Sequence, residues 1–396
     1  MGIIAGPSIV DDESLIFHYD MGNTVRSFKG KPTTNLNSES AYTVEEIGGY
    51  PLLRAERVVD PESPSGYALE QQITDLSING ASRAQMGNAT NIPTSGNGYV
   101  SVYAKQIAGG GWIVPRVYTG ANWYTLQPLD GGTGYLTSEY RRFGRDVTFG
   151  TSSGGPLPAF SMTHSTSEMA LDKITRWHSP QVETGTFITP YVNGTRSNTQ
   201  AIVDLTSNET VTANSVTYNS DGTFRFGNGQ YITLPNAATT FGTGSVSTSV
   251  EFWVRPIDNT DTTRIPVGHQ NVTNQRFYIG ITSSNWDVGW GDFAWGAGNY
   301  TGTRPTADYD VYQHICVTIN AGVVSLYKNG VKSTFSKTDT DVSQSGVFPI
   351  GTYFDQGNPA VSYYGIDDIP IFRIYNKTLT DAEVKQNYES QKGRFL

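Results

Sequence analysis

Short stretches in which apolar and polar residues alternate recur along nearly the whole chain, and turn residues separate them. Tyr99-Val-Ser-Val-Tyr-Ala-Lys alternates strictly. Gln230-Tyr-Ile-Thr-Leu, Val246-Ser-Thr-Ser-Val-Glu-Phe-Trp-Val-Arg-Pro, Val311-Tyr-Gln-His-Ile-Cys-Val-Thr-Ile and Val323-Val-Ser-Leu-Tyr-Lys alternate less regularly. A period of two sends successive side chains to opposite faces of a strand, so each stretch fits a sheet with one buried face. Asp221-Gly222 and Asn329-Gly330 mark tight hairpins, because both central residues of a type I′ turn need positive φ. The fold class this pattern imposes is all-β, in β-sandwich units.

The C-terminal stretch is the exception that helps most. Ile366, Ile369, Ile371, Phe372, Ile374 and Tyr375 form an apolar strand, and Asn376-Lys377 turns the chain. Thr380 then stands three residues before Glu383, a capping box in which hydroxyl and carboxylate each take up an unpaired backbone N–H. A strand followed by a capped helix of one to two turns is expected there.

With 396 residues the chain exceeds a single small domain, since domains usually run to ~100–200 residues. Residues 1–32 read as an N-terminal arm with one short strand, Leu15-Ile-Phe-His-Tyr-Asp. Two placements are open for it: against the chain's own jelly roll, or docked on a partner. Residues 33–195 read as a first β domain and 199–396 as a second, with a junction rich in Asn, Gly, Thr and Ser between them.

Charge and cysteine usage narrow the function classes. The net charge of −9, without a basic stripe, argues against nucleic-acid binding. Cys316 is the single cysteine, so no internal disulfide framework is available, and its apolar strand suggests a small buried hydrophobe. No apolar run approaches the ~18–20 residues of a membrane span. The first residues lack a basic segment ahead of an apolar one, so synthesis in a reducing cytosol is expected, with release by a route such as lysis of a host cell.

Two resemblances follow from particular motifs. Phe224-Arg-Phe-Gly-Asn-Gly-Gln-Tyr-Ile, Ser249-Val-Glu-Phe-Trp-Val-Arg-Pro, Leu326-Tyr-Lys-Asn-Gly-Val and the closing Gly365–Glu383 stretch resemble, in order, the motifs of laminin-G-like, concanavalin A-like jelly rolls. Gln181, Val182, Glu183, Gly185, Thr189, Pro190 and Tyr191 resemble the last strand of carbohydrate-binding-module-like jelly rolls found in many phage tail and surface proteins. Tyr99–Lys105 and Arg141–Phe149 resemble two earlier strands of that family. Together they imply two jelly rolls in tandem after the arm, as in a virion surface protein of a tailed bacteriophage: a fibre, tail-associated or capsid-decorating component made in the host bacterial cytoplasm. The same resemblance implies other virion proteins as partners of the arm, a homotrimer, and contact with host-surface glycan. A bacterial lectin-like adhesin and a polysaccharide-degrading enzyme are the alternatives.

Concanavalin-type sheets also carry glycoside hydrolases, which need two carboxylates converging on the scissile bond. Glu251 stands alone on its strand, and the neighbours Asp367 and Asp368 point to opposite faces. Glu183 reads as a side chain that bonds a nearby loop. No catalytic residue, metal cluster or cofactor loop is therefore expected; His18, His164, His178, His269 and His314 are dispersed, and His18 reads as structural. The laminin-G resemblance leaves a structural Ca²⁺ open at Asp367 or Asp368, against a hydrogen-bonding role for both. Aromatic rings are the binding candidates, because sugars stack their C–H faces on them. Trp286, Trp290 and Trp295 fall within ten residues, with Trp295 in a loop; for Trp286 and Trp290 packing between sheets competes with ligand contact. Trp112, Trp123 and Tyr124 play the equivalent part in the first domain.

Overall fold

A computed structural model describes residues 8–23, 26–36, 46–47, 53–73, 83–85, 93–109, 114–119, 122–132, 134–150, 159–163, 173–184, 188–219, 224–235, 247–257, 263–270, 276–291, 300–338, 347–355, 358–359 and 367–396. The chain is mostly β-strand, as the alternation requires, and forms two compact units. One is Pro32–Arg196. The other joins Met1–Lys31 to Ser197–Leu396.

The second of these has a nine-stranded sheet. Its order is Thr217–Tyr218, Phe224–Phe226, Asp367–Tyr375, Ser247–Pro256, Gln313–Asn320, Val323–Lys328, Val331–Thr338 and Tyr300–Thr301, with Leu15–Asp20 also paired to Asp367–Tyr375. A second layer is built from Asn285–Gly291, Arg276–Thr282, Thr263–Gln270, Thr352–Asp355 and Asn358–Pro359, and from the three-stranded set Thr212–Asn214, Tyr231–Leu234 and Phe348–Ile350. Phe17, Tyr19, Phe252, Phe277, Trp286, Phe348 and Phe372 share the core.

Every residue of Asp367–Tyr375 is buried, because both its faces are covered. Ile369, Phe372 and Ile374 enter the core, while Tyr375 joins Val10, Leu15, Cys316, Leu379 and Val384 on the other face. Pro370, which cannot donate a ladder bond, sits where the strand changes neighbours. Asp367 and Asp368 pair with Phe226 and Arg225, whereas Ile371 to Tyr375 pair with Leu15–Asp20.

That pairing puts the strand of the N-terminal arm on the chain's own jelly roll, one of the two placements left open for it. Residues 15–20 are a strand of the C-terminal unit's own sheet. His18 N–H donates to Asp204 Oδ1 at 2.9 Å, and Tyr19 O–H to the Ile369 carbonyl at 2.9 Å. The chain thus starts one sandwich, leaves it to make the 32–196 unit, and returns. Phe28 bridges Ile202 on one side of the crossing, and Thr33–Thr34 pairs with Thr195–Arg196 on the other.

Local signals behave as their chemistry demands. Asn329 and Gly330 have φ of 52° and 74°, the pair of positive angles expected of the hairpin; Asp221-Gly222 lies outside the described residues. Thr380 Oγ1 accepts from Glu383 N–H, and Glu383 Oε2 accepts from Thr380 N–H at 2.8 Å. The helix so capped, Asp381–Gln391, has 11 residues rather than one or two turns. Its buried positions are Val384 and Asn387, so no apolar stripe announces its length.

The 32–196 unit has a six-stranded antiparallel sheet in the order Gln127–Pro128, Arg141–Phe149, Gly96–Ala108, Ile174–Thr184, Tyr67–Ile73 and Leu53–Val59. A five-stranded sheet runs Glu46–Ile47, Arg83–Gln85, Ala159–Thr163, Val114–Tyr118 and Trp123–Thr125. Leu69, Val100, Val102, Ala104, Val117, Leu126, Phe143, Val147, Phe149, Trp177 and Val182 make the core between them.

Candidate functional site

Period two decides what the six-stranded sheet does with its other face. With Val100, Val102 and Ala104 turned into the core, Tyr99, Ser101, Tyr103 and Lys105 turn away from it. Across the ladder Arg142 stands opposite Tyr103, Gly144 opposite Ser101 and Asp146 opposite Tyr99. Arg176 and His178 come from Ile174–Thr184, opposite Lys105 and Tyr103. Glu70 faces Arg176 from the next strand.

These side chains form one connected row. Arg176 Nε donates to Glu70 Oε2 at 2.9 Å, and its Nη1 lies 3.3 Å from Asp60 Oδ2. Tyr140 O–H donates to the same Asp60 oxygen at 2.7 Å. Lys105 Nζ reaches Glu62 at 2.6 Å and lies 4.2 Å from the centre of the Tyr140 ring. The Tyr140 ring meets His178 edge-on at 4.2 Å, and His178 stacks on Tyr103 at 5.2 Å with 5° between planes. Arg142 ends the row, its guanidinium carbon 5.7 Å from the Tyr103 ring centre and its Nη2 donating to Ser101 Oγ at 3.0 Å.

Gly144 shapes the floor. A Cβ there would come within 2.9 Å of Tyr99 Cε1 and 3.0 Å of Ser101 Cβ, so the missing side chain lets the Tyr99 ring lie close to the sheet. Tyr99, Tyr103, Tyr140 and Arg142 are half-buried. Tyr99 and Tyr103 are four residues apart, roughly 13 Å along the strand. Between them Ser101 and Gly144 are buried, with the Tyr99 ring lying over the glycine.

The electrostatics bear most on Tyr140 and Asp60. Burial pushes the Tyr140 hydroxyl well up, and its bond to Asp60 adds to this, so it remains a donor. Burial also pushes the Asp60 carboxyl up, but hydrogen bonds from Tyr140 and the Glu62 amide, with Lys105 and Arg176, outweigh it and hold the group below the usual carboxylate range. The face therefore offers aromatic rings, hydroxyls, cations and carboxylates side by side. That combination suits a ligand with apolar C–H faces and many hydroxyls.

The residues singled out from the sequence fare differently. Trp286 is fully buried against Phe252, and its Nε1–H donates to Gln313 Oε1 at 3.1 Å, which removes it as a ligand contact. A large ring fills the gap between two sheets, and its N–H has found a buried acceptor. Trp290 belongs to Asn285–Gly291, where it pairs with Phe277, but its side chain lies outside the described residues. Trp295 and Trp112 also lie outside them. Trp123 is half-buried on an edge strand, its ring 5.2 Å from that of Tyr118. Tyr124 accepts a hydrogen bond from Thr148 N–H at 3.1 Å and packs on the core. The tyrosines of the six-stranded sheet carry the larger surface, and a signal for them exists in the sequence: Tyr, Ser, Tyr and Lys at every second position from 99 to 105.

The carboxylates weighed as acids are committed elsewhere. Glu183 accepts from Thr189 Oγ1 at 2.7 Å and from Thr189 N–H at 3.1 Å, the loop bond its context implies. Glu251 is fully buried; it binds Arg373 Nη1 at 2.5 Å and Asn387 Nδ2 at 2.9 Å, with His314 Nε2 at 3.4 Å. Asp368 is gripped by Arg255 and by Arg225, whose Nε is 3.1 Å away; Asp367 approaches Arg264 of the opposite layer at 3.9 Å. For Asp368 these pairs are the hydrogen-bonding role weighed against Ca²⁺ in the sequence.

Residues 226–385 match the family model described as the concanavalin A-like lectin/glucanases superfamily. No curated protein matches the chain. Among solved structures it is similar to the botulinum neurotoxin serotype D binding domain, at 18% identity over 49% of this chain and 50% of that chain, with a TM-score of 0.36. It is similar also to the serotype D ligand binding domain in complex with N-acetylneuraminic acid, at 18% identity over 50% of each chain and a TM-score of 0.36. A third is the binding domain of botulinum neurotoxin DC in complex with rat synaptotagmin II, at 18% identity over 49% of this chain and 50% of that one, with a TM-score of 0.37. The chain spans about half the length of the structures it matches.

Proposed function

We propose that this chain is a non-enzymatic, glycan-contacting surface protein of a bacteriophage virion, a fibre, tail-associated or capsid-decorating component assembled as a trimer. The observation that carries the glycan reading is the row from Arg142 through Tyr103, His178 and Tyr140 to Lys105 and Arg176 on one sheet face. Half-buried rings interleaved with donors and acceptors match the two-sided chemistry of a sugar. The lectin-type domain in the other unit agrees with a binding role. The virion setting rests on the resemblance of residues 33–195 to phage surface jelly rolls and on a chain with one cysteine.

A polysaccharide-cleaving reading has one observation in its favour: Asp60 and Glu70 both converge on Arg176. A glycosidase proton donor needs a carboxyl raised toward neutrality. Asp60 is held in the opposite direction, with Tyr140 donating to it, so the pair acts as a frame for Arg176.

A glycan array probed with the full chain tests the binding reading. Wild type should bind, and Tyr103→Ala should lose most of the signal, since taking a stacking ring out of the middle of such a row weakens binding roughly tenfold or more. Equal signals from both proteins would remove this face from consideration. For the virion setting, mass spectrometry of purified particles should find the chain at stoichiometric level and native mass should give a trimer; particles without it end that part of the proposal.

A further inference from the structure

The cations along the row differ in their partners. Lys105 has Glu62, and Arg176 has Asp60 and Glu70. Arg142 differs. Its one hydrogen bond goes to the neutral Ser101 hydroxyl, and its Nε is buried without an acceptor among the described residues. Burial pushes its pKa down, the direction expected of a guanidinium whose lost hydration no anion replaces. Glu183, whose field reaches it, has both carboxylate oxygens engaged by Thr189. Arg142 thus ends the row, half-buried, with donors to spare, because a guanidinium carries five.

Resting on the glycan reading of this face, we infer that the face selects an acidic sugar, whose anionic group docks on Arg142 while its ring lies beside Tyr99. A carboxylate or sulfate ester matches the planar fork of a guanidinium, and it would supply the counter-charge that the fold withholds. Neutral hydroxyls would leave Arg142 as under-compensated as it is now.

The test is a glycan array of matched sets, with uronic-acid oligosaccharides, their carboxyl-reduced forms, sulfated forms and neutral glycans, read for the full-length wild type, Arg142→Gln, Arg142→Lys and Tyr103→Ala. Thermal melts confirm that each variant is folded. Wild type should prefer the acidic sets, and carboxylate against sulfate arms identify the group. Arg142→Gln should weaken acidic binding by roughly 10–100-fold, the usual scale of a charge-assisted hydrogen bond, and leave neutral glycans unchanged. Arg142→Lys should recover part of the loss, and raising salt should mimic it. Preference for carboxyl-reduced or neutral glycans, or an Arg142→Gln variant that binds acidic sets as wild type does, overturns this inference while leaving the face a sugar site. Binding that ignores Tyr103→Ala, or no binding at all, overturns both.

Discussion

Two sheets of this molecule carry ions on the face turned away from a core, and they use them in opposite ways. On the nine-stranded sheet, Glu251, Arg373 and His314 are completely buried, and His18 nearly so. The C-terminal helix seals them: Asn387 donates to Glu251, Tyr388 stacks on Trp253, and Phe395 lies 4.6 Å from the same indole. On the six-stranded sheet, Tyr99, Tyr103, Tyr140 and Arg142 stay half-buried. A covered polar face becomes a fixed internal network, whose groups are worth much to stability and nothing to a ligand. A face left partly open keeps the same chemistry available. The comparison predicts that stability and binding separate between the two sheets.

Arg373→Met should have the largest effect. Arg373 is fully buried, bonds Glu251, and its Nε donates to His18 Nε2 at 3.2 Å. Removing one member of a buried ion pair strands the other, at a cost of ~3–5 kcal/mol. Denaturant midpoints measure this; a loss well under 1 kcal/mol would mean that the covered face is not a stability device.

Acid should act on the same sheet. Burial, then the Arg373 charge, hold His18 down at about 3, against an ordinary 6.5. The folded protein therefore keeps His18 neutral where the unfolded chain takes a proton, so this contribution is complete above pH 6.5 and is lost as pH falls toward 3. Burial pushes Glu251 up, but Arg373 and His314 bring it to about 2 from an ordinary 4.5. Its share is present above pH 4.5 and is lost toward pH 2. Both groups weaken the fold in acid, His18 first, at up to ~1.4 kcal/mol per pH unit for one extra proton bound by the unfolded state. His18→Gln should flatten the stability profile between pH 6.5 and 4.5; an unchanged slope there rejects the assignment.

How much of this is legible in the sequence depends on the reach of each signal. The capping box at Thr380 and the Asn329-Gly330 hairpin need only neighbours along the chain, and the structure holds both. The strand Leu15–Asp20 is visible, but its partner lies some 350 residues away, and nothing in six alternating residues says which edge they complete. The helix is longer than its sequence suggests because its buried face carries Asn387, whose partners are a glutamate and a tyrosine of two other elements. Tryptophans draw attention as ligand contacts, yet they favour the widest gaps in a core. Trp177, Trp253 and Trp286 are all fully buried. Tyrosine keeps a hydroxyl for a partner and so stays on half-open faces, as Tyr99, Tyr103 and Tyr140 do.

The smallest effect sharpens the comparison most. Arg142→Gln removes a charge from the open face, where among the described residues Arg142 holds the Ser101 hydroxyl alone and lies near the Tyr103 ring. Its guanidinium is partly desolvated without a counter-ion, so the neutral amide relieves a cost while giving up one weak bond. These oppose each other, and the net change in stability should stay within about ±0.5 kcal/mol, the range of surface substitutions away from special features. Measured beside Arg373→Met, the two arginines should differ by several kcal/mol although each sits on the outer side of a sheet. A large loss for Arg142→Gln would mean that it is held as firmly as Arg373, and the six-stranded sheet would then be a second scaffold and not a surface that waits for a ligand.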